Sequence, residues 1–453
     1  MTPKNNDLGR DPIIRLVIRI AVPSMLAQFV SVLYSIVDRI YIGNIPGIGD
    51  LALAGVGVCG PVVTMVGSVA SLIGLGGAPL MSIRMGEGNL DDARRILANC
   101  FMALCVVAVA MMAVLFPLRR PMLLLFGASQ TTLPYAVDYF TVYLTGTVFA
   151  LLSIGMSQFI SCQGFAKQAM LSVMLGAVMN IALDPVFIFL LGMGVKGAAL
   201  ATVISQLGSC CFVLAFLFGR RTHIRITLGS YSGRILRRVV GLGFTPFAII
   251  SMDNVMIIAM NAILQRYGGA QRGDLLVTCA TIAQSFMLIV TMPLGGISGG
   301  TQCILSFNYG ARNVERIRQA QRVIFLLCVG YTALMTLAAW LLGGAFVGLF
   351  TRNEAYARQA LWAIRMCTLA IIPLGLQYGI VDGFTALGQV RYAMPLSFWR
   401  KGVYFVSLFL LPALFGAEAA FFAEPISDVL GPIVSSVVYG IGLPKVLARR
   451  LQQ

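Results

Sequence analysis

Twelve mostly apolar runs, each long enough to cross a bilayer, leave this chain few ways to fold. A spanning helix needs about 20 such residues. The runs fall near 20–42, 51–83, 97–117, 136–160, 169–193, 197–219, 239–264, 275–307, 321–350, 361–386, 394–415 and 419–443, with short connections and no soluble domain of any size. Lipid offers the backbone no hydrogen-bond partner, so each run is expected to be a helix. Only 11% of the 453 residues are charged and 58% are hydrophobic, whereas soluble proteins carry about 25% charged residues. The fold class is therefore all-α integral membrane, with twelve transmembrane helices. The polar opening from Met1 to Arg19 leads into the first run with no small-residue cleavage site, so that run is expected to stay in the membrane.

The formal charge of +16 has a topological explanation. With the N-terminus inside, 22 Lys and Arg residues fall in inner connections and eight in outer ones. The inner set includes Arg84, Arg94, Arg95, Arg312, Arg316, Arg318 and Arg322, and the basic connection Arg220–Arg238. The positive-inside rule then places both termini in the cytoplasm, and the basic excess needs no nucleic-acid partner.

Several chemistries lack their parts. The ten cysteines sit within or at the ends of apolar runs, no CxxC pair occurs, and the single histidine, His223, lies in the basic connection. Buried cysteine packs as a small hydrophobe. No G-x-x-x-x-G-K-[ST] phosphate cradle is present, nor a nucleophile–base pair for an intramembrane enzyme. Transport through such a chain must run on an ion gradient or downhill.

The two halves repeat. Ser82-Ile83-Arg84-Met85-Gly86-Glu87-Gly88-Asn89 matches Ser306-Phe307-Asn308-Tyr309-Gly310-Ala311-Arg312-Asn313 at an offset of 224, which also carries Gly164 to Gly388 and Lys167 to Arg391. An offset of 222 carries Gly194-Val195-Lys196-Gly197-Ala198 to Gly416-Ala417-Glu418-Ala419-Ala420. Six spans per repeat give both halves the same orientation about an axis along the membrane normal, an arrangement in which substrate binds between bundles that rock. The expected division is an N-terminal bundle 1–219, a cytoplasmic linker 220–238 and a C-terminal bundle 239–453.

Asp38 and Asp184 are acids set in the apolar runs Val37-Asp38-Arg39-Ile40-Tyr41-Ile42-Gly43 and Asn180-Ile181-Ala182-Leu183-Asp184-Pro185 of the first half. A carboxylate at bilayer depth costs about 2.5–3.5 kcal/mol or more, and marks an ion or proton site by default. Asn180 and Asp184 are spaced i, i+4 and share one helical face; Tyr34 and Asp38 repeat that spacing. Pro185 cannot donate a backbone bond, which would free the Ile181 carbonyl. Oxygen ligands suit a hard cation, and two acids in one cavity suit a proton equally well.

The chain resembles the multidrug and toxic compound extrusion (MATE) transporters, in particular the bacterial branch with DinF-like proteins and staphylococcal drug exporters. The resemblance is carried by Pro23…Tyr34-x-x-x-Asp38-x-x-x-x-Gly43, Met85-Gly86-Glu87-Gly88-Asn89…Ala93-Arg94 and Asn308-Tyr309-Gly310-Ala311-Arg312-Asn313…Arg316. Pro293-Leu294-Gly295-Gly296…Gln302 and Glu424-Pro425-Ile426-Ser427-Asp428 add to it. It implies two six-helix bundles in a V, and export of amphipathic, often cationic compounds driven by proton or sodium entry. It also implies a cation site at Asp38, Asn180, Asp184 and Thr202, where sodium is the metal to be held if the coupling ion is not a proton. A monomer in the bacterial cytoplasmic membrane is expected, with no other cofactor.

The second half diverges where this site should repeat. Asp38 maps to Asn261, Asn180 to Tyr404, Asp184 to Leu408 and Thr202 to Glu424. One ion site, in the first half, is therefore expected. Tyr34, Asp253, Gln284 and Asp382 are candidates to line a substrate cavity; Asp253 and Asp382 either meet cationic substrate or neutralise Arg400 and Lys401. The alternative function is a lipid-linked glycan flippase of the same superfamily, disfavoured because only Arg39, Arg400 and Lys401 bring positive charge into the spans. A passive channel would not need the acid pair.

Overall fold

The computed structural model describes residues 7–126, 128, 130–350 and 353–452, and every regular element among them is helical. Lys4 and Arg352, counted in the charge asymmetry, lie outside the described residues. In the first half, α1 is Ile13–Gly43, α2 Gly49–Gly86, α3 Leu90–Leu125, α4 Leu133–Thr145, α5 Thr147–Cys162, α6 Ala166–Pro185 and α7 Gly194–Phe218. The second half holds α8 Gly233–Gly300, α9 Gln302–Gly310, α10 Val314–Gly348, α11 Glu354–Cys367, α12 Ile371–Ala386, α13 Val390–Phe415 and α14 Ala423–Gln452. Gly269, at φ 68°, breaks α8 into two spans. Ten described helices are long and apolar enough to cross a membrane, and twelve spans result when α4–α5 and α11–α12 each count as one.

Those last two runs, expected to be single helices, are bent by 59° and 47° at corresponding places in the two halves. The repeat reaches into backbone detail elsewhere. Asn89 caps α3 by accepting the Asp92 N–H at 3.0 Å, and its mate Asn313 caps α10 by accepting the Arg316 N–H at 3.2 Å. The residue before each cap is left-handed: Gly88 at φ 78°, and Arg312 at φ 59° where the second half has no glycine. An apolar core runs through both halves, and a smaller cluster around Ile42, Cys59, Phe140 and Ile188 belongs to the first half alone.

The halves meet through reciprocal glycine contacts. A Cβ on Gly86 would stand 1.9 Å from the Phe307 carbonyl oxygen, and one on Gly310 would stand 2.0 Å from that of Ile83. These are repeat mates, so α2 and α9 cross on the pseudo-twofold axis. Further along, Gly76 packs on Val239, Gly243 on the Leu72 carbonyl, and Gly296 and Gly300 on Ser24. Helices in lipid gain nothing from hydrophobic burial against each other, so small residues that let backbones touch carry such interfaces.

Hydrogen bonds reinforce the same end. Ser82 donates to the Cys303 carbonyl at 3.1 Å. Asn308 and Arg316 hold the Leu8 carbonyl at 3.0 and 3.2 Å, and Arg316 reaches that of Asp11 at 2.9 Å. Arg450 pairs with Glu87 across the halves, and its guanidinium also meets the Tyr309 carbonyl at 3.1 Å. Partial burial raises the Glu87 carboxyl, but the hydrogen bonds from Arg450 and Arg84 outweigh it and hold that carboxyl below the usual range. The linker stays with the first half: Gln163 brackets Ile224 through both backbone groups, and Asn99 brackets Ser230 and Ser232.

Gly57, Gly60 and Gly67, further along α2, have open space where a Cβ would point, whereas the close contacts between the halves gather at its Gly86 end, the closed end. That end carries Arg84, Arg94, Arg95, Arg316, Arg318 and Arg322. Substituting Gly86→Ala or Gly310→Ala should destabilise the protein by about 1–3 kcal/mol through overpacking, read as a lowered thermal midpoint in detergent. Gly60→Ala should leave the midpoint unchanged; equal behaviour of the three variants would contradict the assignment of the closed end.

Candidate functional site

Four helices of the first half each present a polar pair at i, i+4. Tyr34 and Asp38 lie on α1, Tyr139 and Tyr143 on α4, Asn180 and Asp184 on α6, and Thr202 and Gln206 on α7. That spacing keeps both members of a pair on one face. The helices α1 and α6, α6 and α7, and α4 and α7 pack directly together, so the four faces converge.

At the centre, the Asn180 amide donates to Asp184 Oδ1 and to Thr202 Oγ1, each at 3.4 Å. The Thr202 hydroxyl donates to the Ala198 carbonyl at 3.1 Å, which leaves its oxygen as an acceptor. The carboxyl groups of Asp38 and Asp184 lie side by side. Tyr139 touches Thr202 and Tyr143 touches Gln206. The two tyrosine rings are stacked, with centroids 6.3 Å apart. Pro185 ends α6, and the chain then passes through a wide π-type turn, Val186–Leu190, before α7. Arg39 is exposed and forms no ion pair with Asp38, although its charge reaches that carboxyl.

Asn180 and Asp184 are almost wholly buried. Even so, among the described residues Asp38 Oδ1, Asn180 Oδ1 and Asp184 Oδ2 have no hydrogen-bond partner, and neither does Gln206 Oε1. Unpaired buried oxygens cost about 1–3 kcal/mol each and are uncommon in folded proteins. Among the described residues neither carboxyl group has an ion pair, Arg39 acting on Asp38 only at longer range, and the converging oxygens make a demand that a cation can meet. The pair can share a proton or bracket a metal ion. The all-oxygen set of acid, amide and hydroxyl fits a hard monovalent cation such as sodium. Among the described residues no three His, Cys, Asp or Glu gather as a transition-metal site would require.

The structure thus brings Asp38, Asn180, Asp184, Thr202 and Tyr34 together, and adds Tyr139, Tyr143 and Gln206. The added residues announce themselves in the sequence only through the same four-residue spacing.

In the second half the acids separate into two groups. Asp253 on α8 forms an ion pair with Lys401 on α13. Arg400 binds Asp428 at 2.6 Å and reaches Glu424 at 3.8 Å, both on α14. Gly431 makes room for this, because the Arg400 stem lies where its Cβ would be. Among the described residues Asp382 on α12 meets no base; it accepts from Ser298 at 2.5 Å and lies against Gln302. Of the two readings for these acids, Asp253 is the neutralising partner and Asp382 is not. Gln284 is half-buried on α8, apart from the ion pairs. Tyr404 and Leu408, the repeat mates of Asn180 and Asp184, are buried in α13. Removing Arg400 alone would leave Asp428 buried and unpaired, so Arg400→Met should cost about 3–5 kcal/mol, and the double variant with Asp428→Leu should recover most of it. Thermal unfolding in detergent measures both; an Arg400→Met protein as stable as wild type would contradict the pairing.

Comparison with known proteins agrees with this architecture. The multidrug export protein MepA of Staphylococcus aureus is 20% identical over 439 residues, covering 95% of this chain and 94% of that one. A solved outward-facing conformation of a multidrug resistance MATE family transporter of the MOP superfamily superposes with a TM-score of 0.91 at 22% identity, covering 98% and 99%. A MOP superfamily transporter from Pyrococcus furiosus, whose binding pocket is described as having reverse polarity, superposes with a TM-score of 0.91 at 23% identity and the same coverage. The MatE family model matches residues 23–186 and 250–428, which include the repeat turns and every residue of the first-half site, save Thr202 and Gln206. On that match, spanning both bundles, the chain belongs to the MatE family of membrane proteins.

Proposed function

We propose that this protein exports amphipathic, often cationic small molecules across the bacterial cytoplasmic membrane in exchange for a proton or a sodium ion. The observation that carries the reading is the set of unpartnered buried oxygens around Asp38 and Asp184. Family membership and the similarity to a staphylococcal multidrug export protein support drug export as the cargo side. The protein is a transporter rather than an enzyme. Placing the basic end in the cytoplasm makes the closed end cytoplasmic, so the splayed ends open outward.

In this reading the coupling ion enters from the open side and settles between the two carboxyl groups, with Asn180 and Thr202 completing its shell. Binding matters for transport only through a difference in affinity between the two arrangements of the halves. The site spans α1, α6 and α7, so filling it draws three helices of one bundle together, and that rearrangement would couple to rocking against the other bundle. The whole ion site lies within one chain, which is consistent with a working monomer. Arg400 and Lys401, the charges a lipid-pyrophosphate flippase would need, are already engaged by acids.

Efflux from proteoliposomes under an imposed pH gradient and, separately, an imposed sodium gradient tests this reading. Asp38→Asn and Asp184→Asn should abolish gradient-driven efflux, while Asn180→Ala and Thr202→Ala should only reduce it, since each removes one neutral oxygen. Uphill transport by Asp38→Asn at the wild-type rate would sink the proposed site.

A further inference from the structure

We propose that Lys401 is a built-in counter-cation at the substrate site, which a cationic substrate displaces from Asp253 and which then moves onto Glu424. The inference rests on the export reading and names how a cation is recognised there.

The geometry of α8 places Asp253. Gly243 marks the α8 face that packs on α2. Ten residues on, Asp253 lies about 15 Å along the helix and about 80° around it from that face. It therefore stands beyond the contact with α2, toward α13, whose Lys401 it meets. Exposure separates the two members of its ion pair. The Asp253 side chain is 47% exposed and that of Lys401 only 3%. An acid at bilayer depth faces water or protein rather than lipid, so the carboxylate is presented to the cleft while the ammonium approaches it from inside the bundle.

Lys401 has a second acid within reach. Glu424 interacts electrostatically with Lys401 as well as with Arg400 and Asp253. Arg400 is held at 2.6 Å by Asp428 and meets Glu424 only at 3.8 Å, so the Glu424 carboxylate keeps room for a closer partner. One oxygen of Asp428 is also buried without a hydrogen bond. The cluster of Asp253, Glu424 and Asp428 with Arg400 and Lys401 carries three acids and two bases. It is one positive charge short of balance. A monovalent cation seated on Asp253 supplies that charge, provided Lys401 has somewhere to go, and Glu424 is the acid that receives it. Tyr378 and Tyr404 lie close enough to feel Asp253, and the half-buried Tyr378 offers such a cation an aromatic face. Asp382 is outside this exchange because it has no base to release.

A site that must first give up an internal partner binds more weakly by the fraction of time it is free. Removing Lys401 removes that handicap for cations alone. The probes are tetraphenylphosphonium and, as its neutral analogue, triphenylphosphine oxide, with binding to the purified protein followed by calorimetry. Lys401→Met should bind the cation about tenfold more tightly and the neutral compound within about twofold of wild type. Lys401→Gln should behave alike. Adding Asp253→Asn should erase the gain, and Glu424→Gln should weaken cation binding by about tenfold, because Lys401 then has no second seat. Cation affinity in Lys401→Met that is unchanged or lower, a gain that survives Asp253→Asn, or an effect shared equally by the neutral compound would overturn the proposal. If wild type exports drug from vesicles while these binding differences are missing, the export reading stands and this one fails. If wild type exports nothing, the export reading fails on its own measurement.

Discussion

Two helix backbones touch where Gly86 of α2 and Gly310 of α9 cross, and the rest of the arrangement hangs from that contact. Each glycine is the repeat mate of the other, and neither position has room for a methyl group. The contact fixes where the halves are joined and therefore where they must part. The neighbouring contacts of Gly76, Gly243, Gly296 and Gly300 extend it along both flanks. Around this crossing the polar groups are tied in: Arg450 reaches Glu87 across the halves, and the Leu8 carbonyl is held by Asn308 and Arg316. Cys162 and Cys303 also lie next to each other there, one from each half.

The two bundles share a backbone plan and differ in chemistry. Caps at Asn89 and Asn313, left-handed residues at Gly164 and Gly388, and bends after α4 and α11 recur at one spacing. Yet among the described residues the first half brings Asp38 and Asp184 together without an ion pair, whereas the second pairs its acids with Arg400 and Lys401 and leaves Asp382 on hydroxyl and amide groups. An acid pair without an ion-pair partner can be satisfied by a proton or cation that arrives from outside. An acid with an internal lysine can be satisfied either way, and so can exchange one cation for another. On the proposed reading the first half would take the small ion and the second the larger cation, with the glycine crossing between them.

Much of this was legible in the sequence because bilayer thickness and the lack of water leave helices as the only solution. The run lengths gave the spans, and the constant offset gave the pairing of the halves. Asn180 and Asp184 declared themselves through spacing and through the cost of an acid at that depth. Tyr139, Tyr143 and Gln206 did not, because tyrosine and glutamine in an apolar helix also read as ordinary interface residues; only the recurrence of i, i+4 pairs on four helices distinguishes them. The bends at 145–147 and 367–371 were missed because hydropathy is continuous across them. Whether Asp253 or Asp382 would meet a base depended on how α8, α12 and α13 register against one another, and no local pattern encodes that. The brackets of Gln163 on Ile224 and of Arg316 on Leu8 and Asp11 are long-range for the same reason.

The central claim is that one ion site exists and lies in the first half. It is tested most directly by counting what the purified protein binds: sodium by calorimetric titration and, in sodium-free buffer, protons released when drug is added. The account predicts one ion or proton exchanged per chain. That exchange should be lost in Asp38→Asn and in Asp184→Asn, whereas Asp253→Asn and Glu424→Gln should keep the sodium stoichiometry and, at drug concentrations raised to saturate their weaker binding, the proton release. A full exchange in Asp184→Asn, or a second ion that disappears with Glu424→Gln, would contradict it.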